Sequence, residues 1–139
     1  MKHIFLLLII FTVVCFTACD NGKVPLSGRV TFSDDGSPLE TGMVCFEANS
    51  FLARGTIGKD GKYIVGSTDT ADGIPPGTYK VYVNGADKVP ESAGGNGMAT
   101  PVSLVAPKFT DGTTSGLTFT ADGKTKVFDF KVDRAAVKK

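Results

Sequence analysis

Side chains able to do covalent or metal chemistry are few in this 139-residue chain. Its one histidine is His3, and its three cysteines are Cys15, Cys19 and Cys45. A zinc centre takes three or four Cys, His or acidic ligands, and Cys45 without a histidine supplies no such set. Nucleophile and general-base pairs built on imidazole are missing from everything after residue 3. Cys45 is therefore expected to be a buried or half-buried small apolar residue, not a reactive thiol. The acidic groups Asp34-Asp35, Asp69 with Asp72, and Asp111 all fall among turn residues. None follows the regular alternating acidic spacing of a calcium loop, so they read as carboxylates bonded to nearby backbone. A Lys–Asn cross-link between first and last strands would need those two residues, and Arg29 and Asp129 stand there instead. Neither a catalytic residue, a metal ligand nor a cofactor is expected, and the chain is not expected to be an enzyme.

The remaining reactive position is Cys19. Met1-Lys2-His3 is a short basic start, followed by the apolar run Ile4 to Phe16, broken only by Thr12. That run is shorter than the roughly 20 residues of a bilayer span and suits the apolar region of a signal peptide. Phe16-Thr17-Ala18-Cys19 resembles a bacterial lipobox, with small residues before a cysteine that becomes the lipidated first residue of the mature protein. Phe16 stands where leucine is usual. An ordinary cleaved signal, or an uncleaved anchor with Cys19 incidental, is the alternative. The resemblance implies residues 1–18 as lipoprotein signal peptide, 19–23 as lipidated tether, and an exported protein held by acyl chains such as palmitate on a cell-envelope membrane. Asp20 follows the cysteine directly, which in some Gram-negative bacteria retains a lipoprotein in the inner membrane, a rule that varies between bacterial groups. No internal disulfide is expected, because Cys19 is taken by lipid and Cys15 is discarded. Loss of residues 1–18 takes one lysine from 15 basic side chains, which then equal the 14 acidic ones. Nucleic-acid binding and polybasic membrane binding have no electrostatic basis in such a composition.

Whatever site exists must be positioned by strands. Short apolar runs broken by turn residues, with no amphipathic helical stretch beyond two turns outside the N-terminal run, predict an all-β protein. Val24, Leu26, Gly28, Val30 and Phe32 alternate with Ser27, Arg29 and Thr31, a half-buried strand. Asp34 to Pro38 turns. Gly42 to Ala48 is the second strand, with Val44, Phe46 and Ala48 toward the core and Met43, Cys45 and Glu47 away from it. Ala53 to Ile57 and Tyr63 to Val65 are expected to form a hairpin about Asp60-Gly61. Gly73, Pro75, Pro76 and Gly77 forbid a helix, and Tyr79, Val81 and Val83 then alternate with Lys80 and Tyr82. Asn84 to Pro101 is expected as one long flexible loop, far above the usual length of about 4–6 residues. Val102 to Val105, Ser115 to Phe119 and Val127 to Val132 complete the strands. The domain spans 24–133, and 134–139 is a tail.

A turn followed by Tyr79 and alternating valines resembles the tyrosine corner of immunoglobulin-like sandwiches, in which the ring is buried and its hydroxyl bonds back to nearby backbone. Ser27-Gly-Arg-Val-Thr-Phe32, Gly36-Ser-Pro-Leu39, Gly42-Met-Val-Cys-Phe46, Lys59-Asp-Gly-Lys-Tyr63 and Asp72 to Val83 come in the order seen in carboxypeptidase-regulatory-like domains. These are transthyretin-like (prealbumin-like) sandwiches, and Pro107-Lys-Phe-Thr110 with Thr114-Ser-Gly-Leu-Thr118, followed by Phe128-Asp-Phe130, resembles the ending of small bacterial lipoproteins of that group. The resemblance implies an immunoglobulin-like Greek-key sandwich of about seven strands and a non-catalytic binding or structural module of the cell envelope. The hydroxyisourate hydrolases of this fold use histidines and a terminal Tyr-Arg-Gly-Ser, and this chain ends Ala135-Ala-Val-Lys-Lys139. An envelope protein or a glycan is the expected partner, beside the membrane reached through the lipid. The candidate binding surface is Tyr82, Asn84 and Asn96, with the 84–101 loop. A carbohydrate-binding accessory domain is the alternative, for which Tyr82, Phe51 and Phe109 are the exposed aromatic candidates.

Overall fold

The computed structural model describes residues 22–90 and 100–136. In chain order its strands are β1 (Ser27–Phe32), β2 (Met43–Ala48), β3 (Phe51–Thr56), β4 (Lys62–Ile64), β5 (Gly77–Asn84), β6 (Asp87–Lys88), β7 (Val102–Ser103), β8 (Leu117–Ala121) and β9 (Phe130–Val132). A single 3-10 turn, Pro107–Thr110, is the one helical element among the described residues. None of their helices is long and apolar enough to cross a membrane. The protein is all-β.

The strands form a four-stranded antiparallel sheet, β3-β2-β5-β8, and a three-stranded sheet, β4-β1-β9. In the latter β1 runs antiparallel to β4 and parallel to β9. Alternation explains which face each strand buries. Val30 and Phe32 of β1 are buried while Arg29 is exposed, as the period-2 pattern predicts. On the larger sheet Val44 pairs with Val83 and Phe46 with Val81, so the apolar sets of β2 and β5 share one face. The two sheets meet through aromatic rings. Phe46 lies 6.2 Å from Tyr63, 5.9 Å from Phe119 and 6.3 Å from Phe128, centroid to centroid. Phe46 and Tyr63 are both essentially inaccessible to solvent, and each large apolar side chain buried this way contributes roughly 1.5–3 kcal/mol.

Three expectations change and one holds. The Asp60-Gly61 turn forms, closed by Gly58 N–H to the Lys62 carbonyl at 2.9 Å, but β3 and β4 do not ladder together. The chain meets β3 again only beyond β4, where Arg54 and Gly66 exchange both backbone bonds at 2.9 Å. Between those points β4 gives its hydrogen bonds to β1, so the turn carries the chain from one sheet to the other. Cys45 points away from the inter-sheet core and is buried, both as expected, flanked in register by Arg54 and Tyr82. The segment after Val83 is not one loop, because its two ends pair as the short ribbon of β6 and β7. Arg134, expected to begin a loose tail, is bridged to Val105 and bonded to Asp34, Asp35 and Ser37.

Candidate functional site

The three-stranded sheet turns one face to the core and the other to solvent. Its outward residues Ser27 and Arg29 of β1 and Lys62 and Ile64 of β4 form the floor of a groove of about 900 Å³. Val127 and Asp129 border it beside β1, Arg54 and Thr56 border it from β3, and the loop Ser67–Ala71 walls it. Its volume lies in the range of about 300–1,000 Å³ typical of small-ligand sites. Two large aliphatic side chains stand open in it, Ile64 at 59% and Val127 at 57% exposure. Among the described residues the Arg54 guanidinium has no ion-pair or hydrogen-bond partner, whereas the other groove cations are engaged. Arg29 donates through Nε to the Asp60 carbonyl at 2.7 Å, and Lys62 pairs with Asp60 at 3.2 Å. Asp129 accepts the Arg29 backbone N–H at 2.8 Å.

The wall is built by one carboxylate. Asp72 accepts the backbone N–H groups of Ser67 at 2.5 Å and of Thr68 and Asp69 at 3.1 Å each. Lys23 closes the arrangement with an ion pair to the same carboxylate and a bond to the Thr68 hydroxyl at 3.2 Å. The Lys23 ammonium and then these amides hold the Asp72 carboxyl well below its usual range. The next residue, Gly73, has φ +80°, and a Cβ there would stand 2.3 Å from the Val24 carbonyl oxygen. Only glycine fits that approach.

The residues expected to bind lie elsewhere. Tyr82 is half-buried on the outer face of β5, and Gly112 approaches its ring. It lines a second, smaller depression of about 260 Å³ with Glu47, Lys80 and the loop 110–113. Burial, then the neighbouring Cys45 and Glu47, raise its phenol above the ordinary value. Asn84 is exposed at the end of β5, opposite Met43. Asn96 and Cys19 lie outside the described residues. Phe51 is half-buried against Tyr79, with rings edge-on at 6.0 Å, and Phe109 is buried. The structure thus brings none of Tyr82, Asn84 and Phe51 to the larger groove. Acidic turn residues do what their spacing predicts: Asp111 bonds Thr113, Asp122 bonds the amides of Lys124 and Thr125, and Asp35 bonds Ser37. No group of three or more potential metal-ligating side chains occurs among the described residues.

The chain matches no family model, no curated protein and no solved structure.

Proposed function

We propose that this chain is a non-catalytic binding module of the cell envelope, lipidated at Cys19, whose ligand site is the groove over β1 and β4. The observation that carries the reading is the groove itself, with Ile64 and Val127 exposed and an Arg54 guanidinium that has no ion-pair or hydrogen-bond partner among the described residues. Such a surface holds a ligand by its apolar body and orients it by one charge. The signal-like N-terminus and Cys19 supply the address. An immunoglobulin-like, transthyretin-like sandwich is the proposed fold family, supported by the buried Tyr79 whose hydroxyl bonds the Pro75 carbonyl at 2.8 Å. Fold family alone assigns no activity.

Labelled palmitate tests the address. Incorporation into the wild-type chain and its loss in Cys19→Ala are expected, and equal labelling of the two overturns lipidation. Deletion of residues 86–100 tests the loop as a binding surface. Partner capture that survives the deletion but falls with Arg54→Gln places binding in the groove.

A second reading, glycan binding, is favoured by the polar depression in which the Tyr82 ring stands among Glu47, Lys80 and Asp111. Sugar faces stack on such rings, and hydroxyl groups bond such polar neighbours. Polysaccharide binding that persists in Tyr82→Ala removes this reading.

A further inference from the structure

We propose that the groove over β1 and β4 docks onto an anionic phospholipid surface, the membrane that holds the chain by its own lipid. This rests on the lipid-anchored module proposed above and adds to it the orientation of the domain and the identity of its ligand.

The first support is the length of the tether and the place where it joins the domain. Cys19 precedes Lys23 by four residues, and four residues of extended chain reach at most about 14 Å. The root of that tether is fixed. Val24 donates to the Ile74 carbonyl at 2.6 Å and accepts from the Ile74 N–H at 3.0 Å. Lys23 is bound to Asp72 and Thr68, in the loop that walls the groove. The wall is therefore the part of the groove closest to the lipidated residue along a short, pinned path. A headgroup layer is about 5–7 Å deep on each side of the hydrocarbon, so this tether holds the wall near the surface it would touch.

The second support is the chemistry of the groove. The large aliphatic side chains more than half exposed among the described residues are Ile64, Val89, Val102 and Val127, and two of the four line this one groove. Arg29, Arg54 and Lys62 line it against Asp69 and Asp129, and Arg54 carries the groove charge that has no ion-pair partner among the described residues. Aliphatic side chains that enter the headgroup layer, beside a guanidinium for lipid phosphate, are the mark of an interfacial surface. Phosphate suits guanidinium because the planar donors meet two oxygens at once. The near-neutral composition does not oppose this, because Arg29, Arg54 and Lys62 come from three different strands.

The test uses the full-length chain, purified and reconstituted by its own anchor into vesicles of phosphatidylglycerol and phosphatidylethanolamine, or of phosphatidylcholine alone. An environment-sensitive dye is placed at Ile64→Cys, or at the exposed control Glu40→Cys, and is quenched by spin-labelled lipid. Cys45 is buried and does not take the dye. Quenching at position 64 and not at 40, in the anionic vesicles only, is the expected result. Arg54→Gln should weaken it about fivefold, the effect of one basic side chain near an anionic surface. Unchanged thermal midpoints of the labelled variants show that each is folded. A chain that floats with the vesicles while position 64 stays as wet as position 40 overturns the docking alone. Equal quenching in phosphatidylcholine overturns the anionic recognition. A wild-type chain that does not float overturns the anchor, and the docking with it.

Discussion

The Tyr63 hydroxyl passes over Gly28 and donates to the Phe128 carbonyl at 2.5 Å. Gly28 and Tyr63 are paired in register across β1 and β4, and a Cβ on residue 28 would stand 2.0 Å from that carbonyl oxygen and 2.7 Å from the hydroxyl. One missing side chain therefore lets three segments of the smaller sheet be tied by a buried phenol. Tyr63→Phe leaves the carbonyl without its donor and should cost about 1–3 kcal/mol. Gly28→Ala must displace backbone and should cost about 3 kcal/mol or more. Urea titration checks both: the midpoint falls, in that order, with an unchanged slope. A Gly28→Ala midpoint equal to wild type would contradict the close approach.

Tyr79 makes the smaller bond. Its hydroxyl reaches the Pro75 carbonyl four residues upstream, while its ring keeps an edge-on contact with Phe51. Tyr79→Phe preserves the ring and removes one neutral hydrogen bond, so a loss of about 0.5–1.5 kcal/mol is expected. Thermal unfolding of the pair measures it. A loss above about 3 kcal/mol would mean that the ring has shifted as well.

Period-2 alternation placed β1, β2 and β5 and their buried faces correctly, because each has one face on the core and one outward. Tyr79 was legible for the same reason, its turn being spelled out by Pro75, Pro76 and Gly77. Pairing was not legible. The Asp60-Gly61 turn predicts a hairpin, but a turn also serves to cross between sheets, and the open edge of β1 competes for β4. The burial of Cys45 was legible, but its flanking by Tyr82 and Arg54 across the sheet is a relation only register reveals. The groove was invisible for a stronger reason: Arg29, Arg54, Ile64 and Val127 are separated by up to 98 positions and share no motif. Only Asp72, set in a polar turn, carried a local signal, and it marked the wall instead of the ligand surface.

Arg134 holds the end of the domain against the turn after β1. Its guanidinium lies 3.7 Å from the Phe32 ring centroid and donates to Asp34 and Asp35, each at 2.8 Å, and to Ser37 at 2.7 Å. Next to it the Ala106 N–H bonds the Asp133 carbonyl and the Ala135 N–H bonds the Leu104 carbonyl. Arg134→Ala should speed hydrogen exchange at the amides of Ala106 and Ala135 while leaving β2 and β5 unchanged. Arg134→Lys should not restore protection, since an ammonium neither stacks on the ring nor serves three acceptors in one plane. Unaltered exchange at both amides would remove this role.

Two carboxylates give the fold an acid limb. Lys23 and the loop amides hold the Asp72 carboxyl below its ordinary value, and the Ser37 hydroxyl and amide, then Arg134, hold Asp35 at about 2. An unfolded aspartate titrates near 3.9. Each folded value is lower, so the unfolded chain takes up protons first. The stabilisation is complete above about pH 5 and is lost progressively as pH falls through 4 toward 2 and below. The difference in urea midpoint between wild type and Asp72→Asn should narrow from neutral pH to about pH 2. The two should differ at neutral pH, where only the wild type has the charged Lys23–Asp72 pair. Asp35→Asn should behave in the same way with a smaller difference, because its partners are more exposed. A constant difference at all pH values would show that these carboxyls are not titrating with folding.

Cys45 closes the chemistry. It sits in β2 between β3 and β5, buried, and burial pushes its thiol above the ordinary value despite the nearby Arg54 charge. Only the thiolate attacks an electrophile, so both access and ionisation oppose reaction in the folded chain. Modification by a maleimide should then follow opening of the central strands and run about 10³-fold or more slower than in urea-unfolded protein. Mass spectrometry of the peptide that carries Cys45 reads the rate without interference from Cys19. Arg54→Gln should leave that native rate unchanged, because opening and not local charge limits it. A native rate within about tenfold of the unfolded one would instead make Cys45 an accessible thiol beside the groove, and the outer face of β2 and β5 would then have to open without unfolding.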